Sequence, residues 1–173
     1  YWKIAAKINK LLPIRVPQST IRNWIAGKKP NITPLKLTKE TLYAIAYCMG
    51  VLCGDYARSC GGLAAKDREF VEYYARMYEI ATGIKLNVRP SKNKQGFWET
   101  RERGSWLRSC WETGLWKVFA ELDPVNWLKG LFDSEGCVTP GCVHERLRDI
   151  AVYLTTGDPE VKEMAKKKLR ELG

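Results

Sequence analysis

The chain has 173 residues, 45% of them hydrophobic and 28% charged, with 29 Lys and Arg against 19 Asp and Glu for a net charge of +10. This composition supports a buried core in one domain or two small ones and excludes both intrinsic disorder and a disulfide-stapled miniprotein. The longest uncharged run, Thr41 to Gly54, falls short of the roughly 20 apolar residues a transmembrane helix needs, and no apolar secretory segment opens the chain.

The charge is uneven along the chain. Residues 1–40 carry nine Lys and Arg against one acid, residues 41–123 twelve against ten, and residues 124–173 eight against eight. A basic stretch that is also apolar in pattern points to a polyanion, because each Lys or Arg seated on a phosphate releases condensed counterions. Within it, Ile4, Ala5, Ile8, Leu11 and Leu12 recur at helical spacing, Pro13 to Pro17 interrupts, and Ser19 is positioned to cap a second helix that turns Ile21, Trp24 and Ile25 inward and ends at Gly27. Two short helices joined by a turn resemble a helix-turn-helix. Gln18, Ser19, Thr20, Arg22 and Asn23 would face DNA, with Lys28 and Lys29 following; the plainer reading is a helical hairpin packed on a larger body.

An internal repeat follows. YCMGVLCGDY (47–56) and WLKGLFDSEG (127–136) each form an apolar helix with a glycine and an acid five residues later: Gly50 with Asp55, and Gly130 with Glu135. What comes after each also matches, reading as strand, turn and amphipathic helix that ends at Gly83 or Gly173. In the first unit, Phe70, Tyr74, Met77, Tyr78 and Ala81 form one apolar stripe. Lys85 to Arg89 alternates polar and apolar as a strand does, and Asn93 to Gly96 marks a hairpin. Asp123 before Pro124 and Asp158 before Pro159 read as helix starts. Ile150, Val152 and Leu154 are expected to point inward, with Asp149, Tyr153 and Thr155 outward. The fold class is therefore α+β, with residues 1–40 an extension, 41–123 a first repeat and 124–173 a second.

Of the six cysteines, Cys48 and Cys53 fall in an apolar helix. Cys137, Cys142 and His144 surround the turn signal Thr139-Pro140-Gly141. A cross-strand disulfide or a metal could sit there, but no fourth ligand is apparent and the spacing matches no usual zinc pattern; the plainer reading is two small buried thiols, which a hyperthermophile would pair as a disulfide.

The acids carry the chemistry. Each sits at the C-terminal end of an apolar helix, where the helix dipole disfavours a carboxylate by about 0.3 to 1 kcal/mol. If Gly50 and Gly130 let the two helices pack closely, Asp55 and Glu135 converge. Converging carboxylates call for a cation, and hard oxygen ligands suit Mg²⁺ shared with substrate phosphate oxygens.

CMGVLCGDY (48–56) and LKGLFDSEG (128–136) resemble the two LAGLIDADG motifs of a homing endonuclease. Cys53 stands where the motif usually has an acid or a hydrophobe, and Tyr56 where it has glycine. The resemblance covers residues 41–173 and implies two pseudo-symmetric αββαββ halves that form a monomeric saddle over double-stranded DNA. It implies site-specific cleavage of a long asymmetric target by an intron-encoded enzyme, with Asp55 and Glu135 as ligands of Mg²⁺, for which Ca²⁺ or Mn²⁺ can substitute. Lys66 is the expected basic catalytic residue, with Thr156 as its counterpart and Arg103 a second candidate. Arg58, Lys85, Asn87, Arg89, Lys92, Lys94, Arg101, Arg103, Arg146 and Arg148 are the expected DNA contacts. On this template the second repeat lacks strands after Gly173, and a cytoplasmic (archaeal) or organellar location is expected. The alternatives are an RNA maturase of the same fold that acts on its own intron and a non-catalytic DNA-binding regulator.

Overall fold

The computed structural model describes residues 3, 6, 18–27, 38–56, 61–102, 106–143 and 146–173, and for residues 24, 139–143 and 146–150 the backbone alone. The chain divides into two compact units, Tyr1–Pro34 and Leu35–Gly173, so both repeats lie within the second.

In the first unit, helix α1 (Gln18–Ile25) closes at Gly27 in a left-handed conformation. It begins one residue before Ser19, which therefore lies in the first turn and does not cap it. Ile21 is buried, but Ile25 is 52% exposed, contrary to expectation; it is the last residue of a short helix, where the apolar stripe runs out. Gln18, Ser19, Arg22 and Asn23 are exposed. Of the helix expected over Ile4 to Leu12 only Ala6 is described, helical and exposed, and Lys28 and Lys29 lie outside the described residues.

The second unit is organised around α2 (Lys39–Cys53). Thr38 and Thr41 start the helix with a reciprocal capping box, and every residue from Ala44 to Cys53 is buried. Such an all-round apolar helix is stable only when surrounded. Its neighbours are α3 (Arg68–Thr82), α5 (Leu115–Leu122) and α6 (Pro124–Glu135), with α4 (Trp106–Glu112) beside them. Asp67, Asp123 and Asp158 all cap helices through side-chain hydrogen bonds, the last two ahead of a proline as the sequence predicts. Trp111, Trp116 and Trp127 stack, with centroids 5.7 and 6.0 Å apart at interplanar angles of 12° and 14°.

Among the described residues there are two antiparallel sheets. In the first, β3 (Trp98–Arg101) lies between β1 (Gly62–Ala65) and β2 (Arg89–Pro90). The hairpin turn at 91–97 forms as expected, with Gly96 at φ 75°. The expected strand over Lys85 to Arg89 is shorter: only Arg89 and Pro90 pair with β3, and Pro90 has no N–H to extend the ladder. The alternation nevertheless survives in the unpaired stretch, with Leu86 buried and Lys85, Asn87 and Arg89 exposed. The second sheet is a two-stranded ribbon of β4 (Gly136–Val143) and β5 (Arg146–Leu154), followed by α7 (Pro159–Leu172). Lys168 of α7, 2% exposed, is ion-paired to Glu121 of α5 and to Glu171, which compensates its burial.

Val152 is not buried: it is 58% exposed and pairs with Val138, itself 65% exposed, because α7 covers that face of the ribbon only in part, Val152 and half-buried Leu154 lining an open depression of about 380 Å³ with Phe132, Ala165 and Leu169. Cys137 is exposed and not a buried thiol, and Cys137 and Cys142 lie along the same strand, about 16 Å apart at 3.3 Å per residue, too far for a disulfide. The side chains of Cys142 and His144 lie outside the described residues.

Candidate active site

The two glycines of the repeat meet. A Cβ on Gly50 would stand 2.1 Å from the Trp127 carbonyl oxygen and 2.7 Å from the Leu131 nitrogen, while one on Gly130 would stand 2.1 Å from the Tyr47 oxygen and 3.1 Å from the Val51 nitrogen. Tyr47 and Trp127 each precede their glycine by three residues, and Val51 and Leu131 each follow it by one. The contact is thus reciprocal, as across a two-fold axis, and backbone touches backbone. Any side chain at either position would have to push the helices apart.

One turn further along, a Cβ on Gly54 would stand 2.1 Å from Ser134 Oγ and 2.7 Å from Glu135 Cγ. The contacts advance in the same direction on both helices, so α2 and α6 run parallel and end together. Glu135 therefore lies against the residue that immediately precedes Asp55. Gly54 is a site residue the repeat did not single out, although a second glycine one turn after Gly50 was the available signal.

Asp55 is exposed and Glu135 half-buried. Burial raises the Asp55 carboxyl above its ordinary range, and the charge of Lys94 partly offsets the effect. Glu135 opens onto a depression of about 340 Å³ with Cys53, Gly54, Thr156, Gly157, Asp158 and Pro159. Asp158 Oδ1 accepts hydrogen bonds from the nitrogens of Glu160 (2.9 Å) and Val161 (3.2 Å), so one of its oxygens is engaged by the helix.

Asp55 and Glu135 stand at the ends of the two repeat helices and offer hard oxygen donors, the type a magnesium ion takes. Among the described residues no group of three or more His, Cys, Asp or Glu is gathered. Two carboxylates at one end of a helix pair are the usual protein share for an ion that keeps waters and takes substrate oxygens.

Lys66, the expected basic catalytic residue, is exposed just past β1, with its ammonium 5.9 Å from the centroid of Phe97. Lys94, sought only as a DNA contact, reaches the same ring at 5.1 Å, and its charge acts on Asp55. Phe97 gathers the two cations, a role the sequence did not suggest. Thr156, the counterpart of Lys66, lines the depression beside Glu135.

On the first sheet, Lys85, Asn87, Arg89 and Arg101 line one shallow depression of about 260 Å³ with Leu86 and Glu102. Beneath the arginines lies Glu99, 6% exposed. It accepts hydrogen bonds from Arg89 Nε (3.1 Å) and Ser91 Oγ (3.0 Å), and Arg101 stands 3.9 Å away. Burial alone would raise the Glu99 carboxyl, but the bonds from Ser91 and Arg89 and the charges of Arg101 and Arg89 outweigh it and hold the group below the ordinary range. Arg68 stacks on Trp98 at 4.6 Å. Lys92 is exposed in the turn; Arg58 and Arg103 lie outside the described residues, and Arg146 and Arg148 belong to β5 with backbone alone described.

No family model matches the chain. It is similar to an uncharacterized protein of Methanocaldococcus jannaschii, 25% identical over a 187-residue alignment that covers 99% of this chain. The chain spans 65% of that relative's length. Among the described residues, no helix is long and apolar enough to cross a membrane, and the architecture is α+β with small antiparallel sheets.

Proposed function

We propose that the chain is the LAGLIDADG core of a site-specific DNA endonuclease, its two repeats forming the two halves of a monomeric saddle, with Asp55 and Glu135 as the ligands of Mg²⁺. The observation that carries this reading is the reciprocal glycine contact, which packs the repeat helices backbone to backbone and ends them together at the two acids. A bound Mg²⁺ would supply Lewis-acid polarisation of a phosphodiester and a lowered pKa for a coordinated water.

The chain's own residues supply the remainder. Asp55 and Glu135 offer one carboxylate to each half-site. Lys94 and Lys66, gathered on Phe97, supply positive charge to stabilise the negative charge that develops on the phosphate oxygens as the bond breaks. Arg89 and Arg101 present guanidinium groups from β2 and β3, oriented by Glu99, to a nucleic-acid backbone. The exposed residues of α1, Ser19, Arg22 and Asn23, add a second DNA-reading element.

Incubation with a library of DNA duplexes and Mg²⁺, with the ends sequenced, tests the proposal. Discrete Mg²⁺-dependent double-strand ends at one long sequence are expected. Duplex binding without cleavage would favour the regulator, and preference for structured intron RNA the maturase.

A further inference from the structure

A second group of titratable side chains, on α2, α3 and α6, makes contacts that include neither Asp55 nor Glu135. Tyr43 and Tyr73 share a hydrogen bond of 2.5 Å, and the ammonium of Lys129 donates to both, at 3.3 and 3.1 Å. The same ammonium lies 4.8 Å from the Tyr73 ring centroid, 5.9 Å from that of Tyr43 and 6.0 Å from that of Tyr47. Tyr47 meets Tyr73 edge-on at 5.0 Å and donates to Asp133 Oδ2 at 2.9 Å. Three tyrosine faces from α2 and α3 thus already hold one alkylammonium, which is what ring quadrupoles attract.

Next to the held lysine is a pocket of about 410 Å³ lined by Tyr47, Asp67, Glu69, Phe70, Tyr73, Lys129 and Asp133. Three carboxylates face one ammonium there, on a chain whose net charge is +10. Asp67 Oδ1 is engaged by the nitrogens of Glu69 and Phe70, and Asp133 Oδ2 by Tyr47, whereas Glu69 is in no ion pair among the described residues. Hydrogen bonding to Tyr73 and Tyr43 raises the Lys129 ammonium above its ordinary range, so it stays charged and offsets one of the three carboxylates, leaving the lining acidic.

We propose that this pocket binds an arginine side chain of a basic peptide segment in a protein partner, with the guanidinium stacked on Phe70 and Tyr73 and paired with Glu69 and Asp133. Charge complementarity selects this occupant: the lining is acidic and aromatic, and a planar cation that stacks and forks to carboxylates meets both requirements. An anion would face three carboxylates, and a neutral apolar group would leave them unpaired. The inference does not depend on the nuclease reading, since none of these residues is assigned to cleavage.

Titration calorimetry of the full chain, without nucleic acid, against a tetra-arginine peptide and a neutral Gly-Ser peptide of equal length tests it. Saturable 1:1 binding of the arginine peptide alone is expected, weakened at least tenfold in the double variant Glu69→Gln, Asp133→Asn, which keeps an acceptor for Tyr47. Circular dichroism of the variant is expected to match the parent. Absence of saturable binding up to millimolar peptide, or binding that a correctly folded variant retains in full, would overturn the proposal.

Discussion

The two halves of the second unit share a motif and differ in what surrounds it. At the centre they are interchangeable: Gly50 meets Trp127 and Leu131 as Gly130 meets Tyr47 and Val51. Away from the centre they diverge. The first half covers α3 with a three-stranded sheet and buries Leu63, Leu86 and Thr100, whereas the second leaves Val138 and Val152 exposed on a two-stranded ribbon. Repetition is therefore strictest where each half is the other's neighbour, since a change on one side there must be matched on the other.

The comparison is broken most decisively at its acids. Asp55→Asn and Glu135→Gln are each expected to lower double-strand cleavage by at least about a hundredfold, with DNA affinity nearly unchanged in filter binding; equal loss of affinity would give these acids a structural role. Gly50→Ala and Gly130→Ala come next. Each is expected to cost about 3 kcal/mol, the upper end for overpacking because the clash is with backbone. Chemical denaturation should find the two losses equal, and a large difference would refute the reciprocity.

Proton linkage sharpens the comparison further. Because burial raises Asp55, its ionised form is disfavoured in the folded protein, so its contribution to stability declines as pH rises through the interval between its unfolded and folded values. If Asp55 holds Mg²⁺ as proposed, it must be ionised to do so, and Mg²⁺ affinity is then expected to fall on acidification starting above the usual Asp range. In Asp55→Asn that component should vanish. Glu99 has the opposite sign: its lowered value contributes stability above the ordinary Glu range that is lost as pH falls through the folded value. Glu99→Gln is expected to remove that acid-sensitive component in pH-dependent melting. The smallest effect is expected at the ribbon, where Val152→Thr should change stability by less than about 0.5 kcal/mol, in contrast to the equivalent change at buried Leu63.

Helix positions were legible from the sequence wherever a local rule governs them. Asp123-Pro124 and Asp158-Pro159 begin helices because cap and proline act within one turn, and Gly50 and Gly130 announced a close approach because little else explains glycine in an apolar helix. Exposure in β5 was not legible: alternation specifies two faces, but whether a layer covers Val152 depends on chain far from it in sequence. Glu99 was likewise hidden, since an acid in a basic hairpin looks like surface until the register sets it between Arg89 and Arg101. Lys94 reaches Asp55 through tertiary folding of the hairpin, which spacing along the chain does not encode.

The tryptophan stack has an optical consequence. Trp127 belongs to α6 and gives its carbonyl to the contact with Gly50, while Trp116 and Trp111 continue the stack at nearly parallel angles. Indoles held this close couple their excited states, so α4, α5 and α6 together carry their own chromophore. A dichroic couplet of the stack that disappears before the helical signal during unfolding would time the parting of α6 from α5 without any attached label.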